Sequence, residues 1–158
     1  MLFPHDDLAH VFELSANIWT ATRTRLEARL RPLSMTWPQF GALLALEKSD
    51  GVTQRELGGL LEIDRTTTSV ICDSLEKRGW AERRTDPADR RVRRVCLTPQ
   101  GRAALAEAQP IVWGAYAAIS DVLSAEEVAA VVPKLERVYE AIKAVPTDGA
   151  SARTAGGR

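Results

Sequence analysis

The chain has 158 residues, of which 45% are hydrophobic and 27% are charged, a profile typical of a soluble globular domain with a real core. Two cysteines without a CxxC pair exclude a disulfide framework and a cysteine zinc site. The first ten residues lack the basic and apolar regions of a signal peptide, and no apolar run approaches the roughly 20 residues that span a bilayer. We therefore expect a cytoplasmic protein without a membrane partner.

Positive and negative charges balance over the whole chain, but they are unevenly distributed along the sequence. Lysine and arginine total 21, as do aspartate and glutamate, so the net charge is zero. The segment 76–102 nevertheless holds nine basic and four acidic residues, a surplus of five positive charges. Such a local surplus is typical of a surface that binds a polyanion.

Capping boxes, in which Ser or Thr is followed three residues later by Glu or Gln, predict the starts of three helices. These boxes begin at Thr36, Thr53 and Ser124. Apolar residues at helical spacing predict an earlier helix over 8–30. Thr98 and Pro99 predict the start of a long helix that runs to about Leu123, and Pro146 is expected to end the last helix.

The middle of the chain predicts two helices joined by a tight turn. Only Glu62 and Ile63 separate the short helix of the second box from Asp64, a good N-cap for a helix over 65–78. This order predicts a helix-turn-helix, whose second helix fits the major groove of B-DNA. Its first turn, DRTTTS over 64–69, offers hydroxyl groups that can exchange hydrogen bonds with base edges.

Two short strands and a polar loop follow the second helix. The strands are predicted over 80–85 and 92–97, and the loop over 86–91 contains Asp-Pro and ends on Arg90 and Arg91. Planar guanidinium groups at the tip of such a hairpin suit phosphates and a narrow minor groove.

The stretch from Thr53 to Gly101 resembles the MarR family of winged helix-turn-helix repressors. The resemblance rests on TQREL, on DRTT followed by DSLEKRG, and on DPADRR followed by LTPQG, in this order and at this spacing. It is close over 36–101, and outside that range it rests on helix order and apolar pattern. It implies a mainly α fold with a small β-hairpin wing, in which the winged helix-turn-helix domain is flanked by N- and C-terminal dimerisation helices.

The resemblance also implies a division of the chain and a function. Residues 1–34 correspond to the N-terminal dimerisation helix, 35–98 to the DNA-binding domain and 99–145 to the C-terminal dimerisation helices. The small, polar residues 146–158 predict a disordered tail. The family implies a homodimer on a palindromic operator in double-stranded DNA, without a cofactor, and a transcriptional repressor that a small molecule releases.

The predicted DNA contacts combine the exposed helix face with the wing. They are Gln54, Arg65, Thr66, Thr67, Ser69, Val70, Ser74, Arg90, Arg91 and Arg93. Asp89 is expected to brace the wing by pairing with a nearby arginine. Val70 and Ser74 stand where the family often has Arg or Lys, and Glu62 stands where glycine is common. Exposed Val70 suits contact with a thymine methyl group.

A group of aromatic residues and one arginine predicts an effector site between the dimerisation helices and the DNA-binding domain, where the family has its cavity. The group is Trp19, Arg23, Trp37, Phe40, Trp113 and Tyr116. Arg23 lies one turn beyond Trp19 and suits a ligand carboxylate. Core packing is the alternative for each residue taken singly, but together they indicate an aromatic, anionic effector.

Several other residues and the winged helix itself allow alternative interpretations. Cys72 and Cys96 suit either a thiol-based redox sensor or, as we expect, small buried hydrophobic residues. Four N-terminal residues are interpreted as a solvated terminus rather than a metal site: His5, Asp6, Asp7 and His10. The sequence shows no nucleophile–base signature and no phosphate-binding glycine loop, so we expect no enzyme and no catalytic or metal site. A winged helix that binds a protein or RNA partner is the alternative function.

Overall fold

The computed structural model describes residues 6–49, 51–117 and 120–145. The chain divides into two structural units, 1–116 and 117–158. The helices and strands are α1 Asp6–Leu30, α2 Trp37–Lys48, β1 Val52–Thr53, α3 Gln54–Leu61, α4 Arg65–Lys77, β2 Ala81–Thr85, β3 Arg93–Leu97, α5 Pro99–Ala117 and α6 Ala125–Lys143. This confirms the prediction of a mainly helical fold with a small β-hairpin wing.

The capping boxes begin helices where the sequence predicts them. In each, the hydroxyl of the cap residue accepts a hydrogen bond from the backbone N–H of the residue three positions later. The side chain of that later residue accepts a hydrogen bond from the backbone N–H of the cap residue. The three boxes pair Thr36 with Gln39, Thr53 with Glu56, and Ser124 with Glu127. Each cap satisfies N–H groups that the helix leaves without a partner, and is worth about 1 kcal/mol.

The sheet has three antiparallel strands in the order β1-β3-β2. The hairpin strands pair from Ala81 with Leu97 to Thr85 with Arg93. The third strand, β1, was not predicted, because two residues are too few for a strand periodicity. It pairs Val52 with Val95 and Thr53 with Arg94, and so ties the wing to the residue that caps α3.

One hydrophobic core lies in the first unit and draws on α1, α2, α3, α4, β3 and α5. Its fully buried large side chains include Leu26, Leu30, Phe40, Leu43, Leu46, Leu57, Leu75, Val95, Leu105 and Val112. The helix-turn-helix and the start of α5 therefore share one packed interior. Since burial of such a side chain contributes about 1.5–3 kcal/mol, this core holds α4 in place.

One predicted helix end is corrected. The predicted long helix ends at Ala117 rather than at about Leu123, and a 3₁₀ turn follows at Ser120–Val122. The Ser120 hydroxyl donates to the Ala117 carbonyl at 2.7 Å, a side-chain bond that competes with continuation of the helix. The last helix ends at Lys143. Pro146 and the predicted tail over 146–158 lie outside the described residues.

Two helices carry large apolar side chains on the surface of the single chain. On α1 these are Val11, Phe12, Leu14, Ile18 and Trp19, and within the second unit α6 exposes Val128, Val131, Val132, Leu135, Val138, Tyr139 and Ile142. The α6 residues are 38–52% exposed. No helix among the described residues has the length and apolar character needed to cross a bilayer.

The packing of α5 on the start of β2 makes a strict demand at position 101. A Cβ atom on Gly101 would lie 2.0 Å from the Trp80 carbonyl oxygen, which also accepts from the Thr98 backbone N–H at 3.1 Å. We expect Gly101→Ala to lower the free energy of unfolding by about 2–3 kcal/mol, because backbone must move to admit the methyl group. Chemical denaturation measures this.

Gly59→Ala is the matched control, since a Cβ atom there meets nothing within 4 Å. Alanine inside α3 should raise the free energy of unfolding by about 0.5–1 kcal/mol. Equal effects of the two substitutions would contradict the close contact between α5 and β2.

Candidate nucleic-acid interface

The first turn of α4 is held by Asp64. Its Oδ1 accepts from the Thr67 backbone N–H at 2.9 Å, and its Oδ2 accepts from the Thr67 hydroxyl at 2.5 Å. These bonds, the hydroxyl bond first, lower the pKa of the Asp64 carboxyl. The predicted N-cap is therefore present and carries a negative charge at neutral pH.

The outer face of α4 begins with exposed Arg65, Thr66 and Thr67. Val70, one turn on, is 63% exposed, and Ser69 between them is half-buried. Inward-facing residues complete the helix: Thr68, Ile71, Cys72 and Leu75 are buried. The amphipathic division predicted from sequence agrees with these positions, with Ser74 as the exception.

Ser74 differs from its predicted role on the exposed face. It is half-buried, its hydroxyl donates to the Ile71 carbonyl at 2.7 Å, and it accepts from the Gln39 amide at 3.1 Å. Gln39 belongs to α2, so this contact ties α4 to the helix behind it. The sequence pattern placed Ser74 one turn beyond Val70 but did not show that α2 reaches it.

The turn between α3 and α4 contains a residue in a strained conformation. Glu62 has φ 54° and ψ 40°, the left-handed region in which glycine is common. Its backbone N–H still bonds to carbonyls of α3, and the Ile63 N–H bonds to the Gly58 carbonyl at 3.1 Å. The turn therefore adopts the left-handed conformation without a glycine.

The wing loop is organised around Asp86, which is 7% exposed. Its Oδ1 accepts from the Ala88 and Asp89 backbone N–H groups at 2.7 and 3.2 Å, and its Oδ2 pairs with the Arg94 guanidinium. Arg94 also donates to the Gly51 carbonyl at 2.8 Å. The hydrogen bond from Arg94, followed by the one from Ala88, lowers the pKa of the Asp86 carboxyl.

Asp89 was expected to brace the wing by pairing with an arginine, and the structure gives the arginine pair to Asp86. Asp89 contributes through the backbone instead: its Oδ1 accepts from the Arg91 N–H at 2.9 Å and its carbonyl from the Val92 N–H at 2.9 Å. Both acids lie in one loop, and only the folded chain shows which of them is buried.

The arginines of the wing fall into two groups. Arg90, Arg91 and Arg93 are exposed, and their guanidinium groups make no hydrogen bond or ion pair within the described part of the chain. They are available to an external anion. Arg83, Arg84 and Arg94 instead form ion pairs within the chain.

Arg83 joins the wing to α4. Its guanidinium pairs with Glu76 and, at 2.7 Å, with Asp73, and its backbone N–H donates to Glu76 at 2.9 Å. The bond to Asp73 is the main cause that raises the pKa of Arg83. A longer contact of 3.4 Å reaches the Gln54 amide oxygen at the start of α3. Gln54, which is predicted to contact DNA, is half-buried, and its amide oxygen already has this contact with Arg83.

A groove of about 940 Å³ runs between the helix-turn-helix and the wing. Three arginines line it, one from each wall: Arg55 on α3, Arg65 on α4 and Arg93 on β3. Glu62 is the acidic residue among its lining residues. The groove therefore has a positive surplus, and it lies beside the exposed first turn of α4.

The aromatic residues predicted to form an effector site lie in one continuous row. Ring centroids are 6.2 Å apart between Trp19 and Trp37, and 5.6 Å between Trp37 and Phe40. The row continues with 6.5 Å from Phe40 to Trp113 and 5.9 Å from Trp113 to Tyr116. Phe40 is buried in the core, whereas Trp19 and Trp113 are about half exposed.

Arg23, the sixth predicted effector residue, is exposed and pairs with Glu27 one turn on, at 2.9 Å. A ligand carboxylate would therefore have to compete with Glu27 for this guanidinium. The structure brings the five rings together and leaves Arg23 in an ion pair on α1.

Known proteins are similar to this chain in sequence and in structure. The model of the MarR family matches residues 33–92. The transcriptional repressor MprA of Escherichia coli (strain K12) is 41% identical over 73 residues, 45% of this chain and 42% of MprA. A putative transcriptional regulatory protein for the hcr operon of Thauera aromatica is 31% identical over 111 residues, 69% of this chain and 66% of that protein.

A solved structure of a mutant MarR from E. coli, complexed with operator DNA, covers 86% of this chain and 98% of its own, with a TM-score of 0.76 and 26% identity. The chain belongs to the MarR family. It spans about half the length of most curated relatives that it matches. In this MarR-family protein the match to the family model, residues 33–92, covers α2, the helix-turn-helix, and the first strand and loop of the wing.

Both cysteines of this MarR-family chain are buried thiols. Cys72 is a member of the core, and burial raises the pKa of its thiol. Since the thiolate is the reactive form, this favours the interpretation of Cys72 as a small hydrophobic residue. Of the N-terminal residues interpreted as a solvated terminus, His5 lies outside the described residues.

Three functional features were missed by the sequence analysis. Arg55 joins the groove, Arg83 connects the wing to α4, and Asp86 pairs with Arg94. The spacing of Asp73 and Glu76, three residues apart on the predicted helix, marks a shared face that could accept a cation. Nothing in the sequence indicates which arginine reaches that face.

The pair between Asp86 and Arg94 predicts a pH dependence of stability. Because the folded-state pKa of Asp86 is lowered, its carboxylate stabilises the fold above the ordinary value of 3.8 and loses this contribution as pH falls through the lower folded pKa. Asp86→Asn keeps an oxygen for Ala88 but turns an amide N–H₂ toward Arg94. We expect its free energy of unfolding to depend less steeply on pH below about pH 4 than that of the native chain.

Asp89→Asn is the control, because the amide oxygen can still accept from the Arg91 N–H. It should leave the pH dependence close to that of the native chain. Denaturation curves at each pH provide the measurement, and equally shallow profiles for both variants would show that Asp86 has no special role.

Proposed function

We propose that this protein is a dimeric, sequence-specific DNA-binding transcriptional regulator, and that it represses until a small aromatic or anionic effector releases it. The observation that carries the proposal is the exposed first turn of α4 beside a groove lined by three arginines and a wing with unpaired arginines. The similar structure of a mutant MarR complexed with operator DNA supports the same use of the fold.

In this proposal α4 enters the major groove with its N-terminal residues against base edges. Arg65, Thr66 and Thr67 are the most accessible for such contacts, with Ser69 behind them and Gln54 at the start of α3. Val70 offers an apolar surface suited to a thymine methyl group. Ser74 is excluded from the proposed set because its hydroxyl is engaged with α2 and Ile71.

The wing supplies contacts that are independent of sequence. Arg90 and Arg91 are proposed to reach phosphates and the adjacent minor groove, and Arg93 the backbone beside the groove. Cationic contacts of this kind release counterions from DNA, so affinity falls steeply with salt concentration. Asp86 and Arg94 hold the loop that carries these arginines.

A homodimer is proposed because α1 and α6 expose apolar stripes that a single chain leaves in water. Burial against a second copy is their simplest use, and it assigns dimerisation to 1–34 and 99–145 and DNA binding to 35–98. A two-fold axis would set two α4 helices one helical turn of DNA apart, about 34 Å. Such a protein reads a palindrome.

Release by an effector is proposed from the row of five rings that links α1, α2 and α5. A ligand bound beside Trp19 and Trp113 would contact the helices proposed for dimerisation and, through Phe40, the core that supports α4. It changes the DNA affinity only if it prefers one spacing of the two DNA-binding domains over another.

Removing the wing arginines tests the DNA-binding role. Arg90→Ala or Arg91→Ala should weaken binding to every duplex several-fold and lower the slope of log affinity against log salt by about one, since each removes a phosphate contact. Fluorescence anisotropy with duplexes from the gene's own upstream region measures both quantities, and the stoichiometry shows whether one dimer binds each site.

Arg29→Ala is the charge-matched control, because Arg29 is exposed on α1 outside the helix-turn-helix and wing. It should leave affinity and salt slope unchanged. Binding by the native chain that shows no preference for any duplex over unrelated DNA, together with tight binding to RNA or a protein, would favour the alternative of a module for another partner.

Aromatic acids test the effector role. Benzoate- or phenol-like acids at near-saturating concentration should quench tryptophan fluorescence and release DNA, and Trp113→Leu should weaken both effects at least several-fold. Arg23→Gln should weaken the response to acids but not to neutral phenols, since only the acids use its charge. Quenching without DNA release would contradict the regulatory role of the site.

A further inference from the structure

Three consecutive threonines at the start of α4 have three different hydrogen-bonding states. The Thr66 hydroxyl is exposed and makes no hydrogen bond within the described part of the chain. The Thr67 hydroxyl is exposed and lies 2.5 Å from Asp64 Oδ2. Thr68 is 1% exposed, and its hydroxyl donates to the Asp64 carbonyl at 2.8 Å. Of the three threonines, Thr66 and Thr67 are exposed.

The contact between Asp64 and Thr67 fixes the direction of the hydroxyl proton. An ionised carboxylate has no proton and can only accept, so the Thr67 hydroxyl must donate its single proton to Asp64. The lowered pKa of Asp64 keeps the carboxylate ionised at neutral pH. What remains toward solvent on Thr67 Oγ1 is lone-pair density, which can accept but not donate.

We propose that Thr67 reads an exocyclic amino group in the major groove, adenine N6 or cytosine N4, and that Asp64 is the positioning residue that makes its hydroxyl an obligate acceptor. The inference rests on the proposed function of DNA binding. It specifies the hydrogen-bonding group that is recognised at one base position.

The physical reason is the pattern of groups in the major groove. Adenine and cytosine present an amino donor there, whereas guanine O6, thymine O4 and the purine N7 atoms are acceptors. A hydroxyl that can only accept forms a hydrogen bond with these amino groups and is repelled by these acceptor atoms. Because each base pair carries its amino group on one strand, Thr67 distinguishes A·T from T·A and C·G from G·C.

Thr66 provides the contrast within the same turn. Its hydroxyl is free to rotate and can either donate or accept, so it does not discriminate amino from keto bases. Thr66 is therefore expected to contribute affinity without this preference. The two residues have the same side chain, and the bond to the Asp64 carboxylate is what separates their hydrogen-bonding states.

The test is selection of duplexes from a random-sequence library with the full-length protein. The native chain should enrich sites with adenine or cytosine at one position of each half-site, favoured over guanine or thymine by about fivefold in fixed duplexes, the scale of one hydrogen bond. Thr67→Val should remove that preference and keep the rest of the motif. Thr67→Ser should keep it, and Thr66→Val should leave it unchanged.

Asp64→Asn is the decisive variant. Its Oδ1 can still accept from the Thr67 backbone N–H, since Asn is also a good N-cap. Its amide nitrogen, in place of Oδ2, would donate to Thr67 Oγ1 and release the hydroxyl proton toward the DNA. We expect the preference for adenine or cytosine at that position to be lost, because the released hydroxyl can then donate or accept, as that of Thr66 can. The lost negative charge should raise affinity for all duplexes alike.

The possible outcomes separate this inference from the function on which it rests. A native chain that enriches no sequence would overturn the proposed function and this inference with it. A native motif that persists unchanged in Thr67→Val or in Asp64→Asn would overturn the inference and leave the DNA-binding function intact. Circular dichroism and thermal unfolding of each variant confirm that α4 is still formed.

Discussion

The close approach of α3 to α4 is the constraint on which the candidate interface depends. A Cβ atom on Gly58 would lie 2.8 Å from the Thr68 hydroxyl oxygen, so the two helices meet where one of them has no side chain. Thr68 is itself fixed by its bond to the Asp64 carbonyl. This contact sets the position of α4 relative to α3, and hence which residues of its first turn face outward.

Charged contacts extend this rigid centre to the wing. Arg83 binds two acids of α4, and Arg94 binds Asp86 in the loop and the Gly51 carbonyl before β1. Exposed ion pairs contribute little, but these are partly buried and multiply hydrogen-bonded, which gives them a fixed geometry. The wing arginines are therefore presented from a loop whose position is coupled to α4. A polyanion that contacts both would meet one surface rather than two independent ones.

Local features of this chain could be predicted from sequence, and long-range pairings could not. The capping boxes and the Asp64 cap depend on residues three apart, so sequence spacing is enough to find them. Arg83 finds Asp73 and Glu76 only after the hairpin folds back on α4, and any of several arginines fits the same pattern. The choice of Asp86 over Asp89 depends on burial in the folded loop, and β1 depends on its partner β3. The resemblance to a family supplied the order of elements but not these individual contacts.

The distribution of charge separates affinity from discrimination in the proposed function. The cations lie in the groove and on the wing, whereas the first turn of α4 combines one arginine with hydroxyl groups and the carboxylate of Asp64. A carboxylate near a polyanion opposes binding to every sequence, so its presence at the tip of the helix needs a compensating role. Capping α4 is one such role, but a neutral Asn or Ser would cap equally well. What only an ionised group supplies is an acceptor on both oxygens, and that is the property that orients the Thr67 hydroxyl.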